Sequence, residues 1–166
     1  AVPDAPDPND ARKEKTADSI TFAPTDGVDP ETTIASASVA ITGFDDPMTG
    51  TVTNGLVKVG SGSWSASVTV APGDSVSLQT ESPSGFETSK TVSFSVGGET
   101  GSWGVSTRPQ DTMPDAVSFP QVSGYFYRTV SYRASSVRSI TGFDGPVTVS
   151  VSSSADHRFR VNGGSW

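Results

Sequence analysis

The chain has 166 residues, no cysteine, one histidine and a net charge of −7, from eleven basic and eighteen acidic side chains. That inventory excludes disulfides, thiolate metal sites and cysteine nucleophiles, and it leaves a serine triad a single base, His157. The acidic balance argues against nucleic acid, whose affinity comes from neutralised phosphates, and no apolar run approaches the roughly 20 residues that span a bilayer. Apolar content is 33% and leans on valine, with leucine only at Leu56 and Leu78. β-Branched side chains crowd helices and suit pleated sheets, so an all-β chain is expected and a helical bundle is excluded.

Residues 1–18 form an acidic arm by composition. Pro3, Pro6 and Pro8 interleave with Asp4, Asp7 and Asp10; proline favours extended backbone and aspartates repel one another. Ala11–Lys15 could add one helical turn. Such an arm has no core of its own, so Asp4, Asp7 and Asp10 are candidate contacts to a partner surface. An acidic, proline-rich start is also the opposite of a secretory signal, though it fits a mature N-terminus left by processing.

From Ile20 the texture changes to short runs bounded by Gly, Pro, Asn or Asp. Strands are predicted at Ile20–Phe22, Thr33–Ile41, Thr51–Thr53, Leu56–Val59, Trp64–Val70, Ser75–Gln79 and Thr91–Val96. Ser67–Val70 and Val92–Val96 alternate with the period of a half-buried strand. Pro72-Gly73-Asp74 reads as a tight turn. Strands of this length at short spacing indicate an antiparallel sandwich.

An internal repeat organises the rest. Ile41-Thr42-Gly43-Phe44-Asp45-Asp46-Pro47 returns as Ile140-Thr141-Gly142-Phe143-Asp144-Gly145-Pro146. Ile20-Thr21-Phe22 matches Val117-Ser118-Phe119, and Val59–Trp64 matches Val161–Trp166. Three collinear matches make one unit present twice: 19–108, then a linker at 109–115, then 116–166. Ile41 and Ile140 are expected to point into the core, with Phe44 and Phe143 plugging the end of the sandwich. Asp45 and Asp144 suit Asx turns on their own backbone, and Pro47 and Pro146 start the next strand without a donor. A calcium reading of Asp45 and Asp46 is weak, because the second copy has Gly145 and Ca²⁺ takes six to eight oxygens. The second copy lacks a counterpart to the forty residues after Trp64, so it is expected to be incomplete. Its missing strands are then supplied by a continuing array or a neighbouring chain, unless the unit is a minimal sheet packed on something else.

These residues resemble the immunoglobulin-like repeats of bacteriophage tail, fibre and decoration proteins and of large bacterial surface proteins. The resemblance rests on Phe22, Ile41–Pro47, Gly62–Trp64 with its fuller version Asn162–Trp166, Pro72–Val76, and Gly97-Gly98 with Trp103–Thr107. It covers about 19–107 and 116–166. It implies tandem sandwich units, no enzymatic activity, no cofactor and no catalytic residues to carry over. The expected role is a structural virion component whose N-terminal arm anchors projecting domains on other virion proteins or on copies of itself. The alternative is a secreted adhesin module that binds a host cell-surface glycan.

Candidate contact residues are few. Tyr125-Phe126-Tyr127 cannot all be buried by strand alternation, and Arg128 and Arg133 lie beside that run, so these five form the candidate partner surface. Phe44, Pro47, Trp64, Phe143, Pro146 and Trp166 are read as structural repeat residues. For Trp64 and Trp166 the core or hairpin role outweighs a sugar-stacking platform. Charge is uneven: residues 1–31 carry three basic and eight acidic groups, whereas residues 115–166 carry five arginines and three aspartates. Head-to-tail docking between copies would pair these ends.

Overall fold

The computed structural model describes residues 13–120, 136–151 and 159–164. The chain divides into two compact units, residues 1–109 and 110–166. Every regular element among the described residues is a strand.

The described residues of the first unit hold nine strands: β1 (Thr25–Val28), β2 (Thr33–Ala35), β3 (Val39–Ala40), β4 (Met48–Thr53), β5 (Leu56–Val59), β6 (Ser67–Val70), β7 (Ser75–Glu81), β8 (Ser89–Val96) and β9 (Glu99–Thr107). One sheet runs in the order β1-β9-β8-β4-β6. The other is built around β7, with β2 and β3 along one side and β5 along the other. All pairings are antiparallel except β1 with β9. One core draws on both sheets: Val57, Val76 and Leu78 meet Val70, Val92, Phe94, Val96, Trp103 and Val105. Strict alternation puts these side chains inward, since successive strand residues face opposite sides. The result is a β-sandwich-like unit.

Trp64–Val70 is a strand only from Ser67 on and Thr51–Thr53 begins earlier, at Met48, while two other predicted strands differ for local reasons. Ile20–Phe22 makes no ladder; Ile20 and Phe22 are buried all the same, and the first strand lies further on at Thr25–Val28. Thr33–Ile41 is broken between Ala35 and Val39. Before the break, even-numbered Ile34 and Ser36 turn inward; after it, odd-numbered Val39 and Ile41 do. One inserted residue has changed the parity, as a bulge does. Ser36 sits at that step: its N–H donates to the Leu78 carbonyl at 2.8 Å, and its Oγ accepts the Leu78 N–H at 2.9 Å. A buried side-chain oxygen thus stands in for the carbonyl that a regular strand would offer.

The expected boundaries also shift. Ala17 is buried in the core, Lys15 bridges to Phe44, and the Ala17 N–H donates to the Gly97 carbonyl. Residues 14–18 are therefore part of the first unit rather than of the arm, and no helical turn forms at Lys13–Lys15. Asp4, Asp7 and Asp10 lie outside the described residues.

Among the described residues of the second unit no strand forms. Asp111 and Asp115 bond to Asp144 and Thr141, so the expected linker at 109–115 is exposed chain hydrogen-bonded to the heptad of that unit. Ile140 is exposed and Phe143 only half-buried, unlike their buried counterparts Ile41 and Phe44.

Candidate functional site

The repeated heptad has a local structure of its own. At Ile41–Pro47 the chain leaves the core end and is caught by the stretch that precedes the first strand. The Asp18 N–H donates to the Thr42 carbonyl at 2.8 Å, and Thr42 Oγ1 donates to Asp18 Oδ2 at 2.8 Å. Three residues on, Asp45 Oδ2 accepts the Glu14 N–H at 2.9 Å, while the Asp45 N–H donates to the Glu14 carbonyl at 3.1 Å. Between the two pairs lies Gly43, with a φ of +90°. A Cβ there would stand 2.4 Å from the Asp18 nitrogen, so only glycine admits both the left-handed backbone and the close approach.

The second unit builds the same four-bond clasp. The Asp115 N–H donates to the Thr141 carbonyl at 2.8 Å, and Thr141 Oγ1 donates to Asp115 Oδ2 at 3.0 Å. Asp144 Oδ2 accepts the Asp111 N–H at 2.6 Å, and its own N–H donates to the Asp111 carbonyl at 2.8 Å. Gly142 has a φ of +78°, and a Cβ on it would lie 2.4 Å from Asp115 Cγ. Asp45 and Asp144 were expected to close Asx turns on their own backbone. They instead tie the heptad to chain about thirty residues upstream.

Asp46, the residue that differs between the copies, forms an ion pair with Lys13 at 2.8 Å on the surface. Asp45 and Asp46 therefore each have a partner on residues 13–14. Pro47 stands directly before β4 and is exposed, as is Pro146.

The turn at Val59–Gly62 has a counterpart at Val161–Gly164, with a different backbone geometry. The Gly62 N–H donates to the Val59 carbonyl and the Gly164 N–H to the Val161 carbonyl, both at 2.9 Å. In the first, only Gly60 has positive φ, the type II′ pattern; in the second, both Asn162 and Gly163 do, the type I′ pattern. Trp64, after the first hairpin, is half-buried with the Lys58 Nζ 4.7 Å from its ring centroid. A cation over one indole face rigidifies the hairpin and competes with sugar stacking there.

The remaining candidates, Tyr125, Phe126, Tyr127, Arg128, Arg133, His157 and Trp166, lie outside the described residues. What the sequence reading missed is the upstream half of the clasp. Asp18 and Asp115 stand two residues before Ile20 and Val117, at the same spacing of 97 that relates Phe22 to Phe119. Extending the repeat by that spacing would have found them.

The chain matches no protein-family model, and comparison with curated proteins and with solved structures gives no match.

Proposed function

We propose that this chain is a non-enzymatic structural component of a bacteriophage virion, with tandem immunoglobulin-like units as its scaffold. One observation carries the scaffold part: the clasp of Asp18, Thr42, Gly43 and Asp45 is rebuilt bond for bond by Asp115, Thr141, Gly142 and Asp144. A device that fixes the entry of a sandwich, repeated along one chain, serves a protein whose task is to hold shape and spacing. The virion assignment rests on the resemblance of the repeat motifs to tail, fibre and decoration domains. The acidic segment at Asp4, Asp7 and Asp10 supports attachment to other virion proteins or to copies of this chain. The Lys58 contact on Trp64 weighs against the glycan-binding adhesin alternative at that ring.

Immunogold electron microscopy of phage particles and cells from the source culture, with antibody against the whole chain, tests this reading. Label on capsid, tail or fibre is the expected result. Label confined to the bacterial surface would replace it with the adhesin reading.

A further inference from the structure

The edge of a sheet presents unpaired N–H and C=O groups, and proteins usually guard it with charge, irregularity or local bonds. Among the described residues of the first unit most edges are guarded in this way. β1 carries Asp26, a positive φ at Gly27 and an irregular register against β9. β6 is four residues long, with the Ser67 N–H donating to Ser65 Oγ and the Ala71 N–H to Asp74 Oδ2. The outer side of β5 is covered where Val57 and Ser65 exchange two backbone bonds.

The edge formed by β2 and β3 has no such guard. The Ser36 N–H donates to the Leu78 carbonyl and the Ser82 N–H to the Thr32 carbonyl, so the backbones of Thr32, Ile34 and Ser36 face β7. Alternation turns the N–H and C=O groups of Thr33 and Ala35 the other way. In β3 the Ile41 N–H donates to the Asp74 carbonyl, and the backbone of Ala40 turns outward for the same reason. Among the described residues nothing bonds to these outward groups. Thr33, Ala35, Ala37, Ser38 and Ala40 are exposed, and no charged residue stands between Glu31 and Asp45. When the two copies are aligned on the heptad, Ile34 and Val39 correspond to Arg133 and Arg138, so the bare edge belongs to the first copy alone.

Further along, the same edge already takes an added segment of its own chain. The Asp18 N–H donates to the Thr42 carbonyl, Lys15 forms an antiparallel bridge with Phe44, and the Asp45 N–H donates to the Glu14 carbonyl. Residues 14–18 therefore run antiparallel beside 42–45. Beyond Asp18 the chain leaves the edge, because Ile20 and Phe22 enter the core and Ile20 lies against Gly101 of β9. The edge stays uncovered from Ala40 back to Thr33.

We propose that this edge pairs with the same edge of a second copy of the chain, antiparallel about a two-fold axis between the two Ala35 residues. A row of outward N–H and C=O groups is matched by another extended backbone. The two-fold sets Ala35 opposite Ala35 of the second copy and Thr33 opposite its Ala37, each pair exchanging backbone bonds. The Ala37 carbonyl already accepts Ser36 Oγ at 2.8 Å and keeps a second lone pair for this. Charge selects a copy as the occupant: two chains of net charge −7 meet with least repulsion where neither presents a charge. The acidic segment with Pro3, Pro6 and Pro8 is a poor occupant, since proline has no N–H to donate. The row Leu56, Gln79, Ala35 then continues into the second copy as one sheet across two chains, an isologous contact. This inference uses only the edge and holds whether or not the chain belongs to a virion.

Sedimentation velocity of the full chain over a range of concentrations reads the pairing, and the mass is expected to rise from one chain toward two. Ala35→Lys places a charge on the axis and is expected to raise the concentration of half-association at least tenfold. Its urea midpoint should match the parent, because Ala35 is exposed. The parent has no cysteine, so Ala35→Cys supplies a single thiol. Bonded antiparallel partners hold their Cα atoms about 5.5 Å apart. A short bismaleimide is therefore expected to join Ala35→Cys chains at least tenfold faster than Ser67→Cys chains, with rates corrected for each thiol's reaction with a monofunctional maleimide. A chain that keeps a single mass at every concentration, an Ala35→Lys variant that associates like the parent, or equal crosslinking at the two positions would overturn the proposal.

Discussion

Asp18 and Thr42, twenty-four residues apart, bond to each other twice, backbone to backbone and hydroxyl to carboxylate, with Gly43 filling the space beneath. The pair joins the chain entering the sandwich to the strand leaving it. Asp115 and Thr141 do the same around Gly142. Each clasp is exposed, so its individual bonds contribute modestly; its geometry is fixed by the glycine that nothing else can replace.

Gly43→Ala is therefore expected to destabilise the first unit well beyond the ~1 kcal/mol of a compatible glycine change, since left-handed strain alone costs about 1–3 kcal/mol. Urea unfolding of the full chain checks this. Lys13→Met, which removes the surface ion pair with Asp46, should stay within about 0.5 kcal/mol of the parent. If both substitutions prove neutral, the clasp does not hold the entry.

Ser36→Ala removes the oxygen that accepts the Leu78 N–H, leaving a buried donor unpaired. The expected loss is about 1–3 kcal/mol, read as a lower urea midpoint with an unchanged m-value. Ser36→Thr keeps the acceptor and should recover part of that loss. Equal stability of the alanine variant and the parent would mean that the parity change between β2 and β3 does not need the hydroxyl.

Gly50 in β4 lies under the Phe94 ring, and a Cβ there would meet Phe94 Cζ at 2.5 Å. Gly50→Ala is expected to cost about 1–3 kcal/mol by overpacking. Phe94→Leu alone should also destabilise, yet the double variant should be less unstable than the sum by more than about 0.5 kcal/mol, as residues in contact couple. Additive losses in that cycle would count against the contact.

Trp103 is fully buried, and its Nε1 donates to Thr25 Oγ1 at 3.2 Å, tying β9 to β1. Trp103→Phe keeps an aromatic ring but takes the donor away from the Thr25 hydroxyl and shrinks the core, for an expected loss of about 1–3 kcal/mol. Fluorescence should report the same residue: its blue-shifted emission is expected to vanish in the variant, leaving the spectrum of Trp64 and Trp166. An unchanged spectrum would show that Trp103 is not the buried emitter.

Much of the first unit was legible in the residues. Leu56–Val59 is a strand over its predicted span, and β7 and β8 only extend their predicted spans, because their alternation and flanking turns are local signals. Ile20–Phe22 was misread for the reason that makes it useful: its apolar residues enter the core from an irregular segment held by long-range bonds, and burial alone imitates a strand. The break in Thr33–Ile41 was invisible because both parities carry apolar or small residues, so alternation could not say where the register changes. The candidate aromatic run at Tyr125–Tyr127 stays outside the described residues, and the clasp was only half seen, as its Asp45 was assigned to the nearest backbone.

By itself the sequence determined the class of structure, the repeat and its glycines. Valine-rich alternation and turn residues act within a few positions, and a duplicated heptad needs no fold to be recognised. Only the tertiary structure decided which distant chain each repeated aspartate holds, where the strand parity changes, and that the second copy's apolar positions are exposed. Those outcomes depend on contacts between segments twenty to eighty residues apart, whose pairing emerges when the two sheets close on a common core.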